Sequence, residues 1–218
     1  MSIEQRDRIL GCACDLYLAD GLEGFSMRKL ARSLGVTAPA LYRHYESKER
    51  VLLDVVGEGY RQLVQYLHGA LQGRTPEDRF RMAGERFLDF ALEHPRYYEV
   101  LFMGVDLVRL EGHEDVADQG CALGQFWSDR LREAMGAGLL ELRDPQASGV
   151  TLWAHSHGLI ALYLKGMLPM SEDEFRNLYR DSNARVLKGL GTRHYAGRLA
   201  EDAAVALPGM GPSTEAVG

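Results

Sequence analysis

The sequence predicts an all-α protein, and three observations carry that reading. Apolar residues recur at three- to four-residue spacing along nearly the whole chain, no clear run alternates with period two, and the periodic stretches are bounded by capping residues and by glycine or proline. With 46% hydrophobic residues in 218, the composition is ordinary for a chain that buries a core. No window approaches the roughly eighteen consecutive apolar residues of a membrane span. "MSIEQRDRIL" lacks the apolar region of a signal peptide, so a cytoplasmic location and no membrane partner are expected. Cys12 and Cys14 sit two apart, on different faces of a helix, and all three cysteines are read as reduced thiols, with Cys121 a small buried residue.

The first helix carries Ile9, Ala13, Leu16 and Tyr17 on one face and Arg8 and Asp15 on the wet opposite face, and ends near Asp20-Gly21, where glycine takes the left-handed conformation. Ser26 is the N-cap of a second helix whose inward face is Leu30, Ala31 and Leu34. Gly35 permits a turn, and Thr37 caps a third, short helix with Pro39 in its first turn. Ala31 is small enough to let the two helices cross closely, and Val36 and Leu41 are expected to plug the angle between them. This is the pattern of a helix-turn-helix, which lays its second helix in the major groove of DNA.

A helix with that task presents polar, small and aromatic groups outward, because the groove offers phosphates on its walls and base edges and thymine methyls on its floor. Thr37, Ala38, Ala40, Arg43 and His44 fit that surface, whereas Leu41 and Tyr45, four apart, anchor the helix to its own core. Ser47 caps a fourth helix, and its first residue, Lys48, adds an ammonium to a positive helix N-terminus; both favour a phosphate. Charge concentrates in the same place. Ser26 to Arg50 holds six basic residues against two acidic ones, a formal +4 that leaves -10 on the remainder of a chain whose net charge is -6.

The stretch "SMRKLARSLGVTAPALYRHYESKERVLLDVV" resembles the DNA-binding signature of the tetracycline-repressor (TetR) family of transcriptional regulators. The helix-turn-helix, the "LYRHY" element and the "SKE" start of the next helix occur together in register, and the resemblance covers Ile9 to Val55. The family pattern often has phenylalanine where Tyr45 stands and glycine or serine where Pro39 stands. The resemblance implies phosphate contacts from Thr37, Tyr42, His44 and Lys48, and base or phosphate contacts from Arg28, Ala38, Pro39, Ala40 and Arg43. Ala38 and Ala40 offer only van der Waals contact, so specificity is expected to lean on thymine methyls, on Arg28 or Arg43, and on DNA shape. Packing is the alternative role for Tyr42, and Arg32 and Arg50 are read as solvated or paired.

From Val51 the fourth helix continues through Leu52, Val55, Leu63 and Leu67 to about Gly69. Thr75 and Pro76 open a fifth helix, which Pro95 stops while starting a shorter sixth. Gly104 to Asp115 has no clear period and reads as a loop. A seventh helix is expected over roughly Asp118 to Ala137, an eighth from Asp144-Pro145 through "LWAHSHGLIALYLKG", and a ninth opened by a Ser171–Glu174 capping box. About nine helices result. Residues 1–50 form the helix-turn-helix domain, 51–190 a larger ligand-binding and dimerisation domain, and 191–218 a mostly mobile tail rich in Gly, Ala and Pro, with the mobility expected beyond about Leu207.

"TLWAHSHGL" is similar to the C-terminal domain of one TetR subgroup, the WHG type, in which a Trp and a His-Gly pair sit on the eighth helix. Trp153, His157, Ile160 and Leu164 share one helical face, which suits a core stripe with one satisfied histidine as well as a ligand contact. The family implies an effector cavity among these helices. Its candidate lining is Phe87, Tyr98, Phe102, Trp127, Trp153 and His157, for a small hydrophobic molecule with one or two hydrogen-bonding groups, although an aromatic stripe serves as core without any ligand. The family also implies a homodimer through the last two long helices, where Leu159, Leu162, Tyr163, Phe175, Leu178 and Leu187 offer more than one seam. Two-fold symmetry then makes the operator a near-palindrome.

Catalysis has no support: the chain lacks a Gly-x-Ser-x-Gly elbow, a P-loop, a dinucleotide fingerprint and a His-Glu-x-x-His pair. His155 and His157, two apart on a helix, point about 200° from one another and do not share a metal. No catalytic residue, metal or cofactor is expected. The rival to a ligand-responsive repressor is a helical small-molecule-binding or protein-interaction module without sequence-specific DNA binding, and the basic element set in an acidic chain argues against it.

Overall fold

A computed structural model describes residues 2–104 and 114–205. Ten α-helices lie within the described residues: α1 (Ile3–Gly24), α2 (Met27–Leu34), α3 (Ala38–Tyr42), α4 (Lys48–His68), α5 (Pro76–Glu93), α6 (Pro95–Glu99), α7 (Glu114–Gly136), α8 (Pro145–Leu164), α9 (Glu172–Leu190) and α10 (Arg193–Val205). A 3-10 turn at Gly69–Gln72 follows α4, and a π-helical turn at Val100–Gly104 follows α6. No strand occurs among the described residues. The expected loop after Gly104 falls largely on residues 105–113, outside them.

The expected caps close these helices. Ser26 Oγ accepts from the Lys29 amide, Ser47 Oγ from the Arg50 amide and Asp144 from the Gln146 amide, each satisfying a donor that the helix itself leaves open. Thr75 with Asp78 and Ser171 with Glu174 form complete capping boxes. α1 is interrupted where the sequence predicts its end: Gly21 sits at φ 68, ψ -177, and a final turn carries the chain on to Gly24.

Two expectations are corrected and one helix is added. The added helix covers Arg193–Val205, where Tyr195 is buried and the Thr192 hydroxyl binds both the Gly138 carbonyl and the Tyr195 amide; the stretch beyond about Leu207 that is expected to be mobile lies outside the described residues. Cys121 is exposed on α7. Val36 does not plug the helix-turn-helix but is 43% exposed, while Leu41 is buried, with Leu34 and Ala38 packed against the same core.

The chain divides into two compact units at Trp127–Ser128, within α7. The expected domain border at residue 50 therefore falls inside the first unit, for a physical reason: α1 to α4 share one core. Leu10, Ala13 and Tyr17 of α1, Leu30 and Ala31 of α2, Leu41 of α3, Tyr45, and Val51, Leu52 and Val55 of α4 are all buried together. Each large side chain of this kind contributes about 1.5–3 kcal/mol by leaving water. In the second unit, Phe175 of α9 is buried against Tyr163 of α8, rings parallel at 4.1 Å. Beside them Ser156 donates to Asn183 Oδ1 at 2.9 Å, and His155 Nε2 lies 3.0 Å from Ser182 Oγ, fixing the register of α8 on α9. Phe175 is thus consumed within the chain and offers nothing to a seam with a second copy.

A polar clamp ties α1 to α4. Glu58 is buried and accepts from Arg6 at 2.8 Å, from Gln62 at 3.1 Å and from Arg61. Burial alone would push the Glu58 carboxyl up; the hydrogen bonds from Arg6, Gln62 and Arg61 outweigh it and hold the group below its ordinary value. The stability this group contributes is accordingly present above the ordinary carboxylate pKa of about 4.3 and lost as pH falls through the folded value. Glu58→Gln is expected to cost about 1–2 kcal/mol in urea unfolding at pH 7 and measurably less at pH 3. Tyr45 presents the opposite case: its hydroxyl is buried and makes no hydrogen bond of normal geometry among the described residues, with Asp54 the carboxylate near it, and burial, aided by Asp54, pushes the phenol up to about 12. Tyr45→Phe removes an orphaned polar atom, so unfolding free energy is expected to stay level or rise by up to about 1 kcal/mol.

Candidate nucleic-acid interface and the aromatic cluster behind it

The turn between α2 and α3 is a Schellman motif. Gly35 adopts φ 71, ψ 27, its amide donates to the Arg32 carbonyl at 3.2 Å, and the Val36 amide donates to the Ala31 carbonyl at 3.0 Å. The chain then reverses into α3 with Leu41 pointing down onto the core. Arg28, Thr37, Pro39, Tyr42, Arg43 and His44 are exposed, Tyr42 to 54%, while Ala38, Ala40 and Lys48 are half-buried at the margin. All nine sequence-predicted residues therefore come from one continuous stretch of the head, and the two residues expected to anchor it, Leu41 and Tyr45, are buried. One detail differs: α3 is only five residues long, so Arg43 and His44 follow the helix instead of lying in it. The His44 and Tyr45 amides both close on the Leu41 carbonyl, at 2.8 and 3.0 Å.

The basic side chains of the head fall into two groups. Lys29 is bound to Asp20 and to the Gly24 carbonyl, each at 2.8 Å; Arg50 faces Asp54 at 3.7 Å; and Lys48 Nζ donates to the Leu22 carbonyl at 3.2 Å. Arg28, Arg32 and Arg43 have no hydrogen bond or ion pair among the described residues. The sequence carried no signal for the Lys48 tether, which depends on where the kinked end of α1 passes. The Thr37 hydroxyl makes no capping bond, so its oxygen is available to an outside donor or acceptor.

Four of the six residues expected around an effector meet in the first unit. Phe87 of α5 packs edge-on against Tyr98, Phe102 and Trp127, with ring centroids 5.8, 5.8 and 6.0 Å away, and Tyr98 lies 4.9 Å from Phe102. Tyr98 is fully buried. The other two belong to the second unit, where Trp153 and His157 stack at 5.0 Å with planes 15° apart. Trp153 is 44% exposed while Ile160 is buried, so the expected single face divides into a covered and an open part. Burial pushes the His157 imidazole below its ordinary value.

The segment 95–104 links this cluster to the head. Tyr98 and Phe102 enter the aromatic cluster, whereas Tyr97, Val100 and Leu101 pack into the α1–α4 core. Both ends are pinned to α1: Arg96 pairs with Asp15 at 2.6 Å, and the Tyr17 hydroxyl donates to the Gly104 carbonyl. Asp15 is exposed, as expected of the wet face of α1, and carries this pair there. Cys14 beside it is buried and its thiol pushed up to about 12, which leaves it unreactive. Among the described residues no group of three or more His, Cys, Asp or Glu is placed to hold a metal ion, and no helix is long and apolar enough to cross a membrane.

Comparison with known proteins places this geometry in a family. Residues 9–55 match the profile "Bacterial regulatory proteins, tetR family", and residues 80–182 match "Tetracyclin repressor-like, C-terminal domain". The chain is 24% identical over 103 residues to the uncharacterized HTH-type transcriptional regulator YobS of Bacillus subtilis, covering 47% of this chain and 54% of that protein. It is 31% identical over 100 residues to the HTH-type transcriptional activator FasR of Mycolicibacterium smegmatis, covering 45% of this chain and 46% of FasR. The chain thus spans about half the length of these curated relatives. Among solved structures, AibR in complex with isovaleryl coenzyme A and operator DNA is similar in fold, with a TM-score of 0.70 at 18% identity over 83% of this chain and 96% of that one. These families are of regulators, not enzymes. With one profile on the helix-turn-helix and the other over residues 80–182, the chain belongs to the TetR family of bacterial transcriptional regulators.

Proposed function

We propose that the protein is a dimeric, ligand-responsive transcriptional repressor that binds a near-palindromic operator through residues 28–48 and is released by a small, largely apolar effector. The observation that carries this reading is the one-sided head: Leu41 and Tyr45 face the core, while Thr37, Tyr42, Arg43 and His44 are exposed together. Thr37, Tyr42, His44 and Lys48 are assigned to phosphates, and Arg28, Ala38, Pro39, Ala40 and Arg43 to base edges or phosphates. For Lys48 this means exchanging the Leu22 carbonyl for a phosphate or sharing its ammonium between them. The domain expected over 1–50 keeps its role as the DNA-reading head, although its core extends into α4.

The effector reading is supported by the aromatic cluster and the WHG-like Trp153–His157 pair; the ligand named for AibR, isovaleryl coenzyme A, supports effector binding in this fold, and only its isovaleryl end matches the small apolar class proposed here. An effector that wedges Phe87 from Tyr98 and Phe102 would shift segment 95–104, and that segment is tied to α1 and packed on α4. Coupling of this kind typically amounts to about 1–3 kcal/mol, or roughly 5- to 150-fold in operator affinity. Dimerisation is assigned to α8 and α9, supported by the exposed Val150, Trp153 and Leu162 of α8. FasR is named an activator, so the sign of regulation is read from a reporter gene placed behind the operator: addition of the protein lowers transcription if it represses.

Selection from a random DNA pool is expected to recover a near-palindrome. Tyr42→Ala is expected to weaken its binding about 5- to 50-fold with unchanged helicity; recovery of no consensus sinks the repressor reading. Arg96→Ala, an exposed change, is expected to leave operator binding within about twofold but to reduce the release caused by an effector. Equal release from wild type and variant contradicts the relay.

A further inference from the structure

We propose that α1 carries a further DNA contact, in which Arg8 and Gln5 hold the sugar–phosphate backbone next to the recognition helix. This rests on the operator-binding reading above and extends it to an element assigned there only to the core. A shallow groove runs between the start of α1 and the α2–α3 turn, lined by Gln5, Arg8 and Ile9 on one side and by Val36, Ala40 and His44 on the other.

Its chemistry is mixed in the way a nucleic-acid backbone requires. Ile9 and Val36 make an apolar floor that suits deoxyribose, and Arg8, Gln5 and His44 stand at the rim as donors for phosphate oxygens. Val36 is 43% exposed, a cost for a β-branched side chain that a covering sugar would remove. Arg8 is exposed and has no hydrogen bond or ion pair among the described residues, whereas its neighbour Arg6 is held by Glu58 and Asp54. The groove is continuous with the DNA-facing residues Ala40 and His44, so a backbone that passes His44 runs directly along Arg8. A protein partner is disfavoured, because the groove is small and its one full charge is positive.

The test is fluorescence anisotropy of the full-length protein on its selected operator across a salt series. Arg8→Ala is expected to weaken binding by roughly fivefold and to reduce the salt slope by about 0.9, one phosphate's worth, equally on operator and unrelated DNA. Arg8→Lys is expected to restore most of both. Arg81→Ala, which removes an exposed charge on α5, serves as the control and leaves both unchanged. Binding and slope of Arg8→Ala equal to wild type, while Tyr42→Ala loses the operator, overturns the α1 contact alone. Failure of wild type to select any sequence overturns the operator reading as well. Arg8 is exposed, so the variant keeps the fold, which circular dichroism checks.

Discussion

The reading surface depends on one turn. Gly35 holds a left-handed conformation that would cost a residue with a side chain about 1–2 kcal/mol, and its two hydrogen bonds close α2 within the space of two residues. That turn sets the direction in which α3 leaves, and thereby sends Leu41 into the core and Tyr42 out of it. No neighbour crowds the position, so the requirement is one of backbone conformation and not of space. Everything exposed from Thr37 to His44 follows from it.

What holds the turn in place is a core with no border after the third helix. α4 supplies Val51, Leu52 and Val55 to the same cluster that receives Leu30 and Leu41, and the Glu58 clamp fastens the start of α1 to the same helix. Residues 1–50 therefore share their packing with α4. A displacement of α4 or of segment 95–104 reaches the residues proposed to face DNA through packed contacts, which is the physical basis for the proposed coupling of an effector to DNA release. The fixed cations belong to this scaffold: Arg6, Lys29 and Arg50 are all engaged by acidic partners within the chain, and Arg8, Arg28, Arg32 and Arg43 remain for an external anion.

Much of this was legible in the residues. Ser26, Ser47, Thr75, Asp144 and Ser171 announce their helices because capping is local chemistry, and Leu41 with Tyr45 announces the buried face of α3 because helical periodicity is local geometry. Long-range arrangement was not legible. Nothing at Asp15, Tyr17 or Lys48 indicates that they reach Arg96, Gly104 and Leu22, since those partners are set by how helices cross. The helix from Arg193 was hidden by a Gly- and Ala-rich composition that lacks an apolar stripe; Tyr195 is buried and anchors it. Cys121 misled because cysteine is buried on average, whereas α7 happens to present that turn to water.

The most direct measurement is amide chemical-shift mapping of the isotope-labelled full-length protein as its selected operator is added. The largest shifts are expected at Arg28, at Thr37 to Lys48 and on the first turns of α1, with the α8–α9 residues unmoved at the first addition. Shifts centred on α8 and α9, or none in Thr37 to Lys48, would contradict a head built to read DNA through the surface that Gly35 turns outward.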